Sequence, residues 1–248
     1  RCRSYGASLP SGQPEGDRRA VTPNVFSEML TMQVVAEDGC CLSRLARCEL
    51  KLALGRPGLA QAADPKLAKA LRRILRNDAN HTLVCIPRMF EGLPDANKEH
   101  YYGEFTKPDV VADLFNPYRV YGSAWVSRRD GWRSDMNEAA YWPLVRGIWQ
   151  DRPVLCVAGS GKGKKAADEF LANASSVDML DAPQRDAWAA YEGILADCLA
   201  WAATKQRPLV YAALGATAAV LAHSLGKCGV QCIDAGHMSQ SWARRGER

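Results

Sequence analysis

The sequence predicts an α/β fold, a Rossmann-like parallel sheet with helices on both faces. Three observations carry this reading. PVLCVAG (153–159) and PLVYAAL (208–214) are unbroken apolar runs of strand length and VQCIDAG (230–236) is a largely apolar one, as strands buried on both faces require. Helical patterns separate them, so each strand leads into a crossover and not a hairpin. Polar turns follow the runs: Gly159-Ser160-Gly161, Gly215-Ala216-Thr217 and Asp234-Ala235-Gly236-His237. In open parallel sheets ligands sit beyond the carboxyl ends of the strands, so all three turns should line one crevice.

The elements follow in chain order. Residues 1–24 are polar and rich in Pro and Gly, without the apolar core of a secretion signal, and are expected to form a flexible arm. Residues 25–242 form one α/β domain, for which 248 residues are ample, and 243–248 form a basic tail. Residues 25–54 read as helical, with a break at Glu37-Asp38-Gly39. In 64–77, Leu67, Leu71 and Leu75 recur at i, i+4 and i+8, which makes an amphipathic helix with a basic face. HTLVCIPR (81–88) is a short buried strand, 91–118 is loop-rich, and YGSAWVSR (121–128) is a second strand. From 141 the rhythm is regular. Helices are expected at 141–150, 165–173, 185–204 and 217–227, the last stopped by Gly229. Strands are expected at 153–159, 176–183, 208–214 and 230–236. Residues 141–242 thus make a Rossmann-like half.

Composition excludes several classes. The longest apolar stretch, 208–226, is opened by Pro208 and broken by Gly215, so no membrane span is expected. Nine cysteines with no C-x-x-C pair read as small hydrophobes in a reducing cytoplasm. GSGKGKK is not a phosphate-binding P-loop. Ala158 stands where its first glycine belongs, and Lys165 where Ser or Thr would bind magnesium. No G-x-G-x-x-G follows a strand. The net charge is +5, with cationic clusters at Arg72, Arg73 and Arg76, at Arg128, Arg129 and Arg133, and at Lys162, Lys164 and Lys165. They point to an anionic ligand, either a sugar nucleotide or nucleic acid. His237, in a polar turn after a strand, is a candidate functional histidine. His81, His100 and His223 read as structural.

LVYAALGATAAVLAHSLGKCGVQCIDAGH resembles the C-terminal signature of the GT-D-fold glycosyltransferases, an apolar strand into Leu-Gly-Pro-Thr-Ala, a helix, then a strand ending in Asp-Ile-Gly-His. Leu214, Gly215, Thr217, Ala218, Leu221, Asp234, Gly236 and His237 match, and Ala216 replaces the proline. GIWQDRPVLCVAG, SSVDMLDAPQRDAWAAYEGIL and YGSAWVSR resemble further family segments in the family's order, with Asp186 in place of an asparagine. CLSRLARCELKLALG resembles its "S-x-x-R-x-G-D-G-E" element. The resemblance covers about residues 25–242. It implies transfer of a hexosyl or pentosyl group from a nucleoside diphosphate sugar, UDP-glucose being the first guess, with a divalent metal (Mn or Mg).

One departure bears on the metal. Matching the family's Asp-x-Glu motif puts Arg47 at the aspartate and Glu49 at the glutamate. Arginine cannot ligate a metal, but its planar fork of donors can neutralise a diphosphate. No metal site is therefore expected; if one exists, Glu49 and Asp234 are its ligands. Donor binding falls to Arg44, Arg47, Arg128, Gly159, Ser160, Gly215 and Thr217. Glu49, Asp234 and His237 are the candidates for taking the acceptor proton. The acceptor is a hydroxyl on a glycan or protein. An alternative is a 5-hydroxymethylpyrimidine in DNA, for which Arg72, Arg73, Arg76, Arg129 and Arg133 would contact phosphates. A reading of another class is a non-catalytic sugar-nucleotide-binding protein.

Overall fold

The structure, a computed structural model, describes residues 22–77, 81–90, 102–132, 136–159 and 169–245. Its centre is an eight-stranded sheet in the order β1-β4-β3-β2-β8-β7-β5-β6. The strands are β1 (Asn24–Val25), β2 (Cys41–Arg44), β3 (Thr82–Ile86), β4 (Val120–Ser123), β5 (Pro153–Gly159), β6 (Ser176–Ala182), β7 (Leu209–Ala213) and β8 (Gln231–Asp234). Every pairing is parallel, so all carboxyl ends share one edge. The helices are α1 (Glu28–Asp38), α2 (Arg47–Ala53), α3 (Pro65–Arg76), α4 (Pro108–Leu114), α5 (Glu138–Gly147), α6 (Tyr191–Ala202), α7 (Ala216–Lys227) and α8 (Met238–Ala243). None among the described residues is long and apolar enough to cross a membrane.

The apolar runs are continuous because each strand feeds two cores, successive side chains pointing to opposite faces. In β5, Leu155 and Val157 join α2, α3, α4, α6 and α7 on one face. Val154, Cys156 and Ala158 join α1, α5 and α8 on the other. That second core is aromatic, with Trp142, Trp149, Phe170 and Tyr211 meeting mostly edge to face.

Three expectations are corrected. Residues 25–54 are two helices around a central strand, not one broken helix. Gly39 takes a left-handed conformation at the end of α1, and the chain then enters β2, all four residues of which are buried. Ser43 made this segment look unlike a strand, but its hydroxyl donates to the Ala219 carbonyl at 2.9 Å, tying β2 to α7. Next, the strand over 121–128 stops at Ser123, whose hydroxyl accepts from the Trp125 amide and turns Ala124–Ser127 into a 3₁₀ turn. Last, the strand expected over 230–236 ends at Asp234, and Gly236 and His237 form a turn that leads into the short helix α8. Of the helix expected over 165–173, residues 165–168 lie outside the described residues, and the remainder is helical only at 169–170 before a turn at 171–173.

Candidate functional site

The carboxyl edge gathers most of the residues singled out in the sequence. β2 ends at Arg44 and passes into α2, which places Arg47 and Glu49 in that helix's first turn. β8 lies beside β2, with Leu42 opposite Ile233, and ends at Asp234. The Arg44 amide donates to Asp234 Oδ2 at 3.1 Å. The Arg44 guanidinium is buried and donates through Nη1 to the Ser127 hydroxyl. It then passes over Gly236, where an added Cβ would fall 2.0 Å from Nη1 and 2.7 Å from Cζ. Asp-x-Gly-His after the last strand is thereby explained. The aspartate is held on the β2 backbone, the glycine clears a path for an arginine, and the histidine is left exposed at the rim.

Charges in this cluster are coupled. Burial pushes the Asp234 carboxyl up to about 7, the Arg44 guanidinium opposes that rise, and Glu49 adds to it. Burial also raises Glu49, with Arg44 pulling the other way. Two carboxylates therefore share the field of one guanidinium. Glu49 keeps part of its surface open while Asp234 is closed in, so only Glu49 can meet a molecule arriving from solvent.

The other sequence candidates divide. Gly215 is exposed at φ 55, ψ −136, a region open only to glycine, and has no atom within 4 Å of an added Cβ. No side chain caps α7 behind it, so the exposed turn at Gly215 leads into an uncapped helix start. Thr217 is fully buried and its hydroxyl finds no hydrogen-bond partner among the described residues, so its side chain is closed to a ligand arriving from solvent. At Gly159 a Cβ would meet Gln184 at 3.0 Å, so that glycine is explained by packing. Arg128 is exposed beyond the 3₁₀ turn. Ser160 and Arg133 lie outside the described residues.

The candidate phosphate contacts for nucleic acid are not gathered here. Arg72, Arg73 and Arg76 lie in the second half of α3, which runs back toward the edge where β3 begins, opposite Arg44 and Asp234. Arg72 donates to the Ala53 carbonyl at 2.6 Å and pairs with Asp113 at 3.0 Å. Arg76 is held by the carbonyls of Ala112 and Asp113. Arg129 is bound to Glu138 at 3.1 Å and to the Arg244 carbonyl.

Sequence reasoning missed two buried partners. Ser127 sits within YGSAWVSR but carries no signal beyond its neighbour Arg128. Glu28 accepts from the Ser123 hydroxyl at 2.8 Å and from Arg88 at 3.3 Å, bracing β3 and β4 beside the site. A buried glutamate in the first turn of a helix reads in sequence only as a favourable charge at the helix start.

A family model described as glycosyltransferase GT-D fold matches residues 42–245. The chain is 26% identical over 237 residues to a probable glycosyl transferase Gly of Streptococcus gordonii, covering 93% of this chain and 34% of that protein. It is 25% identical over 232 residues to the glycosyltransferase GlyD of Streptococcus pneumoniae serotype 4, covering 88% of this chain and 27% of that one. The chain thus spans about a third or less of the length of these curated relatives. Among solved structures, one described as a new glycosyltransferase from Streptococcus sanguinis superposes with a TM-score of 0.78 at 24% identity, covering 90% of this chain and 84% of that one. Another, described as a highly conserved domain with a distinct glycosyltransferase fold, gives 0.79 at 25% identity, covering 91% and 82%.

Proposed function

The chain belongs to the glycosyltransferases of the GT-D fold, and from that premise we propose that it moves a sugar from a nucleoside diphosphate sugar to a hydroxyl on a glycan or protein. A uridine diphosphate sugar is the proposed donor, UDP-glucose the first to test. One observation carries the proposal: the Arg44 guanidinium, laid over Gly236 and fixed by Ser127, stands behind Glu49 and Asp234 at the ligand edge of the sheet.

Glycosyl transfer needs charge stabilisation at the leaving diphosphate and a base for the acceptor hydroxyl. The exposed glycine turn at Gly215 and the N–H groups opening α7 supply the first, together with Arg47 on the first turn of α2. Glu49, part-open to solvent, takes the acceptor proton. Asp234, buried on the Arg44 amide, orients that arginine and tunes Glu49 without touching the acceptor. His237 and Arg128 line the rim.

The family resemblance implies a divalent metal, and the residues present do not fit one. Among the described residues no three His, Cys, Asp or Glu side chains come together to hold an ion. Of the carboxylates Glu49 and Asp234, Asp234 is engaged by the Arg44 amide, and Arg47 stands where the family resemblance puts a further carboxylate. The proposed site neutralises the diphosphate with arginines instead, and no step is routed through a metal.

DNA as the acceptor has less support, because the cations of α3 lie toward the opposite edge and are occupied with α2 and α4. The deciding experiment is incubation with UDP-glucose and other uridine diphosphate sugars, reading free uridine diphosphate. Release that disappears in an Arg44→Ala variant is expected. Donor binding without release would favour the non-catalytic reading, and the absence of both with every sugar would leave another donor class.

A further inference from the structure

Between α5 and α8 lies a cleft of about 680 Å³ to which the chemistry at the carboxyl edge assigns no role. Its lining includes the Trp242 indole, which two guanidinium groups approach. That of Arg245 lies 3.7 Å from the ring centroid and that of Arg146 lies 5.4 Å away. Arg146 Nε also donates to the Phe170 carbonyl at 3.2 Å, and Arg245 Nη1 to the Trp242 carbonyl at 3.1 Å. Each arginine is thus pinned by an aromatic face and a carbonyl, which orients its planar fork before any ligand arrives.

The charge of the cleft is unbalanced. Its one acidic lining residue, Glu138, is already engaged by Arg129 at 3.1 Å and by the Trp142 indole N–H at 3.0 Å. Neither Arg146 nor Arg245 meets a carboxylate among the described residues. Two oriented, uncompensated guanidiniums beside an indole suit a ligand that combines a negative group with a ring edge. Carboxylates and phosphates both match the fork.

We propose that this cleft is the acceptor subsite and that it selects an anionic saccharide, one bearing a carboxylate or a phosphate. The proposal rests on the glycosyl-transfer reading above, and the placement agrees with it. His237 stands at the rim of the catalytic edge, and α8 runs directly from it to Trp242. A six-residue helix spans about 9 Å, so an oligosaccharide can lie in the cleft with its terminal hydroxyl near the catalytic edge.

The test is a titration of the protein, without donor, with trigalacturonate, a glucose oligosaccharide carrying a terminal phosphate, maltotriose, and a short single-stranded DNA. Tryptophan fluorescence and calorimetry give the readout, and UDP-glucose is titrated in parallel. At least one acidic saccharide should bind about tenfold or more tighter than maltotriose. The Arg146→Gln/Arg245→Gln double variant should lose that preference, while Lys227→Gln, exposed on α7, should keep it. UDP-glucose affinity should be the same in all three proteins. Should the double variant fail to fold, the single variants Arg146→Lys and Arg245→Lys, which keep charge and lose the fork, should each weaken acidic binding. Equal binding of maltotriose, unchanged binding in the variants, binding of DNA alone, or no binding of any probe overturns the proposal. Failure of UDP-glucose to bind, with the acidic preference intact, counts instead against the proposed donor.

Discussion

Arg44 and Gly236 are in direct contact across the seam between β2 and β8: the guanidinium occupies the space that any side chain at 236 would need. Gly236→Ala should therefore displace Arg44 from Ser127 and lower both donor affinity and turnover, by about tenfold or more if Arg44 acts on the leaving group. Gly236 has φ +50, so backbone strain also enters. Gly39→Ala is the control, because Gly39 has φ +63 and nothing within 4 Å of the new Cβ. Stability should fall in both variants, and donor binding measured by calorimetry only in the first. Equal donor binding in Gly236→Ala and wild type would show that the position of Arg44 is not needed.

The Asp234 carboxyl, raised by burial from 3.8 to about 7, makes stability depend on pH. The folded protein holds a proton there that the unfolded chain releases near 3.8. The stabilisation is complete below that pH and is lost as pH rises through about 7. Wild type should lose stability relative to Asp234→Asn between pH 4 and 8, by on the order of a few kcal/mol. Denaturant melts of both proteins across that range check the slope, and a difference independent of pH would mean that Asp234 is ionised throughout.

Glu49→Gln keeps the shape of the side chain and removes its ability to take a proton. Turnover should fall by about a hundredfold or more, with UDP-glucose affinity changed far less. A matching loss in affinity would instead place Glu49 on the donor sugar. Full turnover in the folded variant would make it only a residue of the first turn of α2.

Legibility in the sequence followed the physical signal. β5 and β7 were plain because both their faces are buried, so the sequence shows a run of apolar residues bounded by turns. β2 is equally buried, but it is short and contains Ser43 and Arg44, whose side chains donate to Ala219 and Ser127, far away in the chain. A periodicity argument cannot see such partners. The same holds at the site. Asp234, Gly236 and His237 could be placed at a strand end from local pattern, whereas the reason for the glycine, an arginine nearly two hundred residues earlier, appears only when β2 and β8 pair. Arg72 and Arg76 show the converse: a basic helix face suggested a ligand, and the fold gives those side chains internal partners.

Arg47 provides the test of metal use. It stands on the first turn of α2, two residues before Glu49, at the position where the family resemblance puts a second carboxylate, so a divalent ion drawn to that position would meet a cation instead. Two like unit charges about 4 Å apart repel by about 4 kcal/mol at an effective dielectric of 20, and a divalent ion doubles this. One available carboxylate does not offset such a penalty. Donor binding and turnover are therefore expected to withstand EDTA. Arg47→Ala should weaken UDP-glucose binding, because it removes a cation from the diphosphate. Arg47→Asp should weaken it further, unless manganese is added to take over the charge. Calorimetry of the three proteins with and without EDTA and manganese separates these outcomes. Wild-type turnover that EDTA abolishes and manganese restores would sink the idea. It would require a ligand besides Glu49, with Asp234→Asn the first variant to examine.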